Sequence, residues 1–319
     1  LRVGTRASAL ALWQTERVRA LLDAAGVATE RIEITTTGDA VRDVPLSRIG
    51  TRGLFTRQLD EAMLEGRIDL AVHSLKDLPT RLPAGIALAA VSDREDPRDA
   101  LVGRGPLAWA VVPEGATIAT GSLRRRAQLL RARPDLGIAE IRGNVDTRLA
   151  KLDARPEWTA VVLASAGLDR LGFAHRIGER LPLTWMLPAP GQGALAVTAR
   201  ADDAAAQEVA QRVVEHAPTA IATAAERAFL RRLEGGCSVP VAAYAEAGPA
   251  EQGGGYRLTL SGRVTALDGT EAAEGVEGAT VRDAAEADAV GLALAERLIA
   301  GGADLILAAA RIATGTAEG

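Results

Sequence analysis

Through the first two thirds of the chain, short apolar runs alternate with longer stretches in which apolar positions recur every three or four residues. The runs have strand length and the stretches have helical period, so the pattern predicts alternating strands and helices. Strands are expected at 1–4, 32–36, 68–72, 86–91, 117–120, 138–141, 160–164 and 194–199. Helices are expected at 9–25, with Ser8 as its cap, at 55–65, stopped by Gly66, and at 122–133, 145–152 and 219–233. The run Ile68-Asp69-Leu70-Ala71-Val72 has the character of a buried parallel strand. After residue 239 the order changes to strands at 239–244 and 256–265 and a helix at 284–300, the pattern of a small α+β tail.

Two proline-bearing segments interrupt the alternation. Ser92 to Asp99 is charged and Leu187-Pro188-Ala189-Pro190-Gly191-Gln192-Gly193 is rich in turn formers; both read as crossings between domains. They bracket one α/β unit, which suggests a middle domain inserted into the first, each with a doubly wound sheet. The segment 37–53 is too long for a tight connection and reads as a lid or binding loop; it carries Arg42, Arg48 and Arg52. Just beyond it, Phe55 is either a core residue or a ring facing a ligand.

Composition narrows the possibilities. A hydrophobic content of 48% gives ample core, but aromatics at 3% leave the packing to Ala, Val, Leu and Ile. The net charge of -4 provides no overall field for nucleic acid or an anionic membrane, and no apolar run is long enough to span one. A single cysteine excludes an internal disulfide, and three scattered histidines form no zinc pattern. With no basic and apolar leader pattern at the start, a cytoplasmic monomer is expected, while the missing initiator Met keeps a trimmed leader open.

Against that acidic background, nine basic residues stand against four acidic ones between Arg124 and Arg155. Ser122-Leu123-Arg124-Arg125 opens one expected helix and Arg142-Gly143-Asn144-Val145-Asp146-Thr147-Arg148 the next, so guanidinium forks and free N–H groups converge on an anion. Nucleic acid is the rival ligand, but no aromatic residue lies among these arginines to stack a base. A solvated helix face is the other alternative, above all for Arg126, Arg131, Arg133 and Arg155. Arg6 and Ser8 sit at another strand end beside a helix start, again suited to an anion. His73-Ser74-Leu75-Lys76-Asp77-Leu78-Pro79 follows the buried strand at 68–72, where chemistry gathers in open α/β sheets; the alternative is a surface ion pair on a turn. A Schiff base on Lys76 lacks a phosphate cup, and neither GxxxxGK nor an early GxGxxG is present, so Gly191-Gln192-Gly193 is read as a hinge turn. Cys237, after Gly235-Gly236, is either an inert buried thiol or an exposed nucleophile able to form a stable thioether.

Gly4-Thr5-Arg6-Ala7-Ser8, Gly53-Leu54-Phe55, the stretch from His73 to Pro79, Arg94-Glu95-Asp96-Pro97-Arg98-Asp99, the two arginine-bearing helix starts and Glu234-Gly235-Gly236-Cys237, in this order, resemble the porphobilinogen deaminase (hydroxymethylbilane synthase) family. The likeness runs from residue 1 to about Pro240. It implies two similar doubly wound α/β domains around a cleft, like a solute-binding protein with two hinge crossings, plus a small α+β C-terminal domain. Domain 1 would comprise 1–93 and 193–213, the inserted domain 2 would comprise 98–188, and domain 3 would comprise 217–319. The resemblance further implies a transferase that deaminates four porphobilinogens in turn on a dipyrromethane cofactor, held by a thioether to Cys237, and releases a linear tetrapyrrole. By similarity, Asp77 is the catalytic residue. Arg6, Ser8, Lys76, Ser122, Arg124, Arg125, Arg142, Arg148 and Arg170 bind cofactor and substrate carboxylates, with Phe55 against a pyrrole ring. Arg52 and Arg57 replace lysines common in relatives. A binding or sensor protein closing on a small organic anion is the alternative; it explains the hinge and the arginines, but not Asp77 and Cys237 together.

Overall fold

The structure, a computed structural model, describes residues 1–35, 56–233, 239–250 and 254–315. Its first sheet joins β1 (Arg2–Thr5), β2 (Glu30–Glu33), β3 (Leu70–Ser74), β4 (Ile86–Val91) and β10 (Leu195–Arg200) in the order β2-β1-β3-β10-β4. The second joins β5 (Asp99–Val102), β6 (Thr117–Ala119), β7 (Gly137–Ala139), β8 (Ala160–Ala164) and β9 (Glu179–Arg180) in the order β7-β6-β8-β5-β9. The two orders are equivalent. In each, the first three positions are parallel and the strand entered from a crossing, β10 or β5, runs antiparallel to both neighbours. The sheets are therefore mixed rather than wholly parallel, and β3 is parallel to β1 but antiparallel to β10.

The helices cover both faces. In the first unit α1 (Ala9–Ala24) and α2 (Arg57–Leu64) follow strands, and Ser8 caps α1 by accepting the Ala11 N–H at 3.4 Å. In the second, α3 (Leu123–Ala132), α4 (Val145–Ala154) and α5 (Ser165–Arg170) do so, with Ser122 accepting the Arg125 N–H at 3.4 Å. The strand Ala160–Ala164 shows why such runs are apolar throughout. Val161 and Leu163 join the core beneath α4, while Ala160 and Val162 join the one beneath α3. After β10 the helix α6 (Ala204–Val214) packs back on β4 and α1, sharing a core with Val18, Leu22 and Val197.

The last unit is an antiparallel meander of β11 (Val241–Pro249), β12 (Tyr256–Thr265) and β13 (Ala272–Val281) packed on α7 (Ala217–Arg232), α8 (Ala284–Ala300) and α9 (Ala303–Thr314). It is fastened to the crossings by Glu226 of α7, which is fully buried. Glu226 accepts from Arg94 Nη1 at 2.6 Å, from the Gly191 N–H at 2.6 Å and from the Ala245 N–H at 2.7 Å. The crossings also lie close together. Gly193 has φ +96°, and a β-carbon there would collide with the Glu95 carbonyl, so glycine is required where the two segments pass.

Candidate active site

Five chain segments bring their side chains to the carboxyl ends of the parallel strands, the usual place for ligands in such sheets. The turn after β1 brings Arg6 and Ser8, and the single 3-10 turn Leu75–Asp77 after β3 brings Lys76 and Asp77. From the second unit come Ser122 and Arg125 after β6, Arg142 and Arg148 around the start of α4, and Arg170 at the end of α5. All of them line one cleft of about 750 Å³ between the two units. A smaller cavity of about 50 Å³ adjoins it, lined by Arg6, Ser8, Gln14, His73, Ser74 and Asp77 among others. Asp77 is exposed toward this space.

Not every predicted arginine faces the cleft. Arg124 is buried outside its lining and donates to Asp99 Oδ2 and to the Leu187 carbonyl, both at 2.7 Å. Two of its donors hold the start of the second sheet to the second crossing, so the structure does not bring Arg124 into the lining with the other expected residues. Arg125 lines the cleft but is also anchored, through Nη2 to Asp99 Oδ1 at 2.8 Å and Nη1 to the Val162 carbonyl at 3.0 Å. Arg170 is largely committed as well, to Glu95 at 2.9 Å and to the Gly193 carbonyl at 2.7 Å, one from each crossing. Arg148 donates to the Gly143 carbonyl at 2.7 Å, and Arg142 lies 3.3 Å from Glu140.

The electrostatics follow from this crowding. Asp99 is fully buried, and burial alone would raise its pKa; Arg124 and Arg125 more than offset that and hold it well below the usual carboxylate range. One carboxylate serves two guanidiniums, and burial correspondingly pulls Arg124 below its ordinary value. Burial also lowers Lys76 to about 8, with Asp77 opposing the shift and Arg125 adding to it. Arg148 is lowered to about 10 by burial and by the charges of Arg125 and Arg142. Among the described residues, cations outnumber carboxylates in the lining of the cleft, a balance suited to a polycarboxylate ligand. His73, buried beside Arg6, is lowered to about 4 and is thus neutral at pH 7, with Nε2 3.2 Å from Thr198 Oγ1.

Three participants escape a reading of the sequence. Asp99 closes the charged motif that begins at Arg94 but is given no role there, and Gln192 is hidden in a hinge turn. Arg227 of α7 donates to the Pro79 carbonyl at 2.8 Å, so the third unit pins the loop that follows Asp77. Cys237, Phe55, Arg42, Arg48 and Arg52 lie outside the described residues. Among the described residues, no group of His, Cys, Asp and Glu side chains could hold a metal ion.

Residues 1–208 match the family model described as porphobilinogen deaminase, dipyromethane cofactor binding domain, and residues 220–300 match that of the porphobilinogen deaminase C-terminal domain. A porphobilinogen deaminase from Geobacter metallireducens is 48% identical over 310 residues, 97% of this chain and 94% of its own length. One from Syntrophotalea carbinolica is 50% identical over 312 residues, covering 97% and 95%. Among solved structures, a nutrient binding protein from Burkholderia cenocepacia bound to methionine overlaps 66% of this chain and 89% of its own at TM-score 0.42 and 14% identity. With both family models matched in order and near-half identity sustained along almost the whole length, the chain belongs to the porphobilinogen deaminase family.

Proposed function

We propose that Asp77 is the catalytic residue of the family's reaction here, and that the cleft holds the growing pyrrole chain through Arg6, Ser8, Lys76, Ser122, Arg125, Arg142, Arg148 and Arg170. The reaction is the deamination and head-to-tail joining of four porphobilinogens in tetrapyrrole biosynthesis, giving hydroxymethylbilane and ammonia on a dipyrromethane cofactor. The comparisons favour this transferase over a sensor of small anions. The cofactor suits the donor set of the cleft: each pyrrole bears two carboxylates, and the lining offers guanidiniums, an ammonium and the hydroxyls of Ser8 and Ser122. When bound, dipyrromethane supplies the primer to which the first substrate is joined. Cys237 is proposed as its thioether anchor.

The observation that carries the reading is the placement of Asp77: of the exposed carboxylates Asp77, Glu140 and Asp146 that line the cleft, it is the one that also lines the smaller adjoining cavity, and its charge acts on both Lys76 and Arg148. When ammonia leaves porphobilinogen, positive charge develops on the methylene and the pyrrole nitrogen. A carboxylate accepting the pyrrole N–H stabilises that charge, whereas the arginines bind the peripheral carboxylates equally before and after the step. Asp77 can then take up the proton from the ring carbon that has been attacked. Arg124 supports the cleft from behind through Asp99.

The same reading comprises three domains, 1–93 with 193–213, 98–188 and 217–319, in a cytoplasmic monomer with porphobilinogen as its small-molecule partner and no nucleic acid or membrane partner. It is supported by the repeated sheet order and the acidic net charge of -4. Among the described residues, no helix is long and apolar enough to cross a membrane. The mass of the intact purified protein tests the anchor: an addition equal to dipyrromethane, absent from Cys237→Ala, is expected, and an unmodified parent protein refutes it.

A further inference from the structure

We infer that Gln192, between the two hinge glycines, is a positioning residue that joins the substrate-binding ammonium of one domain to the arginine pair of the other. This rests on the reading of the cleft given above. The Gln192 side chain is fully buried and uses both ends of its amide. Its nitrogen donates to the Pro97 carbonyl at 2.7 Å and to Asp99 Oδ1 at 2.9 Å, and its oxygen accepts from Lys76 Nζ at 3.3 Å. These partners come from the first crossing, the first strand of the second sheet and the turn after β3. Asp99 Oδ1 is also the atom that receives Arg125 Nε and Nη2. A single neutral amide thus spans the distance from Lys76 to the carboxylate that orients Arg125.

The amide is held in place by its own backbone. The Gln192 carbonyl accepts Arg94 Nε at 2.9 Å, Gly193 is wedged against Glu95, and Gly191, at φ +76°, fits closely on Leu75. Its polarity then has a defined consequence. The oxygen meets a cation and the nitrogen meets an anion, so a shift of one domain against the other breaks at least one of these bonds. The amide also keeps Lys76 from pairing directly with Asp99. The ammonium stays available to a ligand carboxylate, and Asp99 stays with the arginines. Asparagine is one methylene too short for this span, and glutamate would lose both donors and set a second carboxylate beside Asp99.

The test compares Gln192→Met and Gln192→Glu with the parent as primed holoenzyme, its primer checked by mass. Gln192→Met is expected to raise KM for porphobilinogen about tenfold with a smaller loss in kcat, because a bond to a charged group is removed from ligand positioning rather than from the chemical step. In Gln192→Glu, Lys76, faced in the parent by Asp77, Arg125, Asp99 and Arg124, gains a carboxylate. The alkaline limb of kcat/KM therefore moves to higher pH, which a residue that only packs the hinge would not cause. A Gln192→Glu protein that is primed but keeps the parent's KM and alkaline limb overturns the inference. So does failure of both variants to fold, which would make the amide a packing element first. A fault in the underlying reading would appear separately, as a parent protein without the primer's mass.

Discussion

Asp99→Asn removes one negative charge from the protein interior while leaving its shape intact. In the parent, Asp99 receives Arg124 at 2.7 Å, Arg125 at 2.8 Å and Gln192 at 2.9 Å with no solvent contact. Without its charge, two guanidiniums remain buried in a region already short of anions. Removing one partner of a buried pair costs about 3–5 kcal/mol, most of it from the uncompensated charge left behind. At about 4–8 °C per kcal/mol for a unit of roughly 90 residues, that is a fall of roughly 12–40 °C in the Tm of that unit. Thermal melts followed by circular dichroism at pH 5, 6, 7 and 8 provide the assay. The folded pKa of Asp99 is depressed, so its contribution is present above the unfolded value of about 3.9 and is lost only as pH falls through the lower folded value. The gap between parent and variant should accordingly stay constant from pH 5 to 8. A gap below about 1 kcal/mol, or one that closes between pH 7 and 5, would refute the argument that this carboxylate is the charged keystone of the second sheet and its helices.

Asp77→Ala should reduce turnover by at least about a thousandfold and Asp77→Glu should retain a little activity, since both the charge stabilisation and the proton transfer pass through one carboxylate; near-parental product formation by the alanine variant would exclude it. Lys76 loses its proton near pH 8, so KM for porphobilinogen should climb above that pH in the parent and stay flat over the same range in Lys76→Met, as steady-state kinetics from pH 6 to 9 will measure. Glu226→Gln strands Arg94 and weakens one backbone contact to the second crossing, at Gly191, and one within the third unit, at Ala245. It should lower stability by about 3–5 kcal/mol and speed proteolysis of the segments 92–98 and 187–193, and unchanged cleavage there would contradict the proposed fastening.

Much of the fold is legible because buried strands must be apolar on both faces, and Leu195–Arg200 and Ala160–Ala164 lie within a residue of the expected positions. Local pattern is blind where long-range pairing decides. Asp99–Val102 begins in a run of charges, and it is a strand because β8 and β9 flank it and Asp99 finds two arginines. Likewise α9 and β13 pass unread, since their partly exposed surfaces dilute the periodic signal. The antiparallel sense of β10 and β5 follows from how each crossing re-enters its sheet, and no residue type encodes it.

The site was legible in kind but not in division of labour. A surplus of arginine at two helix starts marks an anionic ligand, yet sequence cannot show that Arg124 and Arg125, neighbours on one turn, end in different places. Arg124 turns inward to Asp99 and the Leu187 carbonyl, whereas Arg125 reaches Asp99 from the cleft wall. That difference has a chemical result. A fully neutralised arginine pair would attract a carboxylate weakly, and a pair without Asp99 would not stay buried. One carboxylate for two guanidiniums leaves the wall both fixed and positively charged, and under the proposed function such a wall would take carboxylates ring after ring without rebuilding itself at each addition.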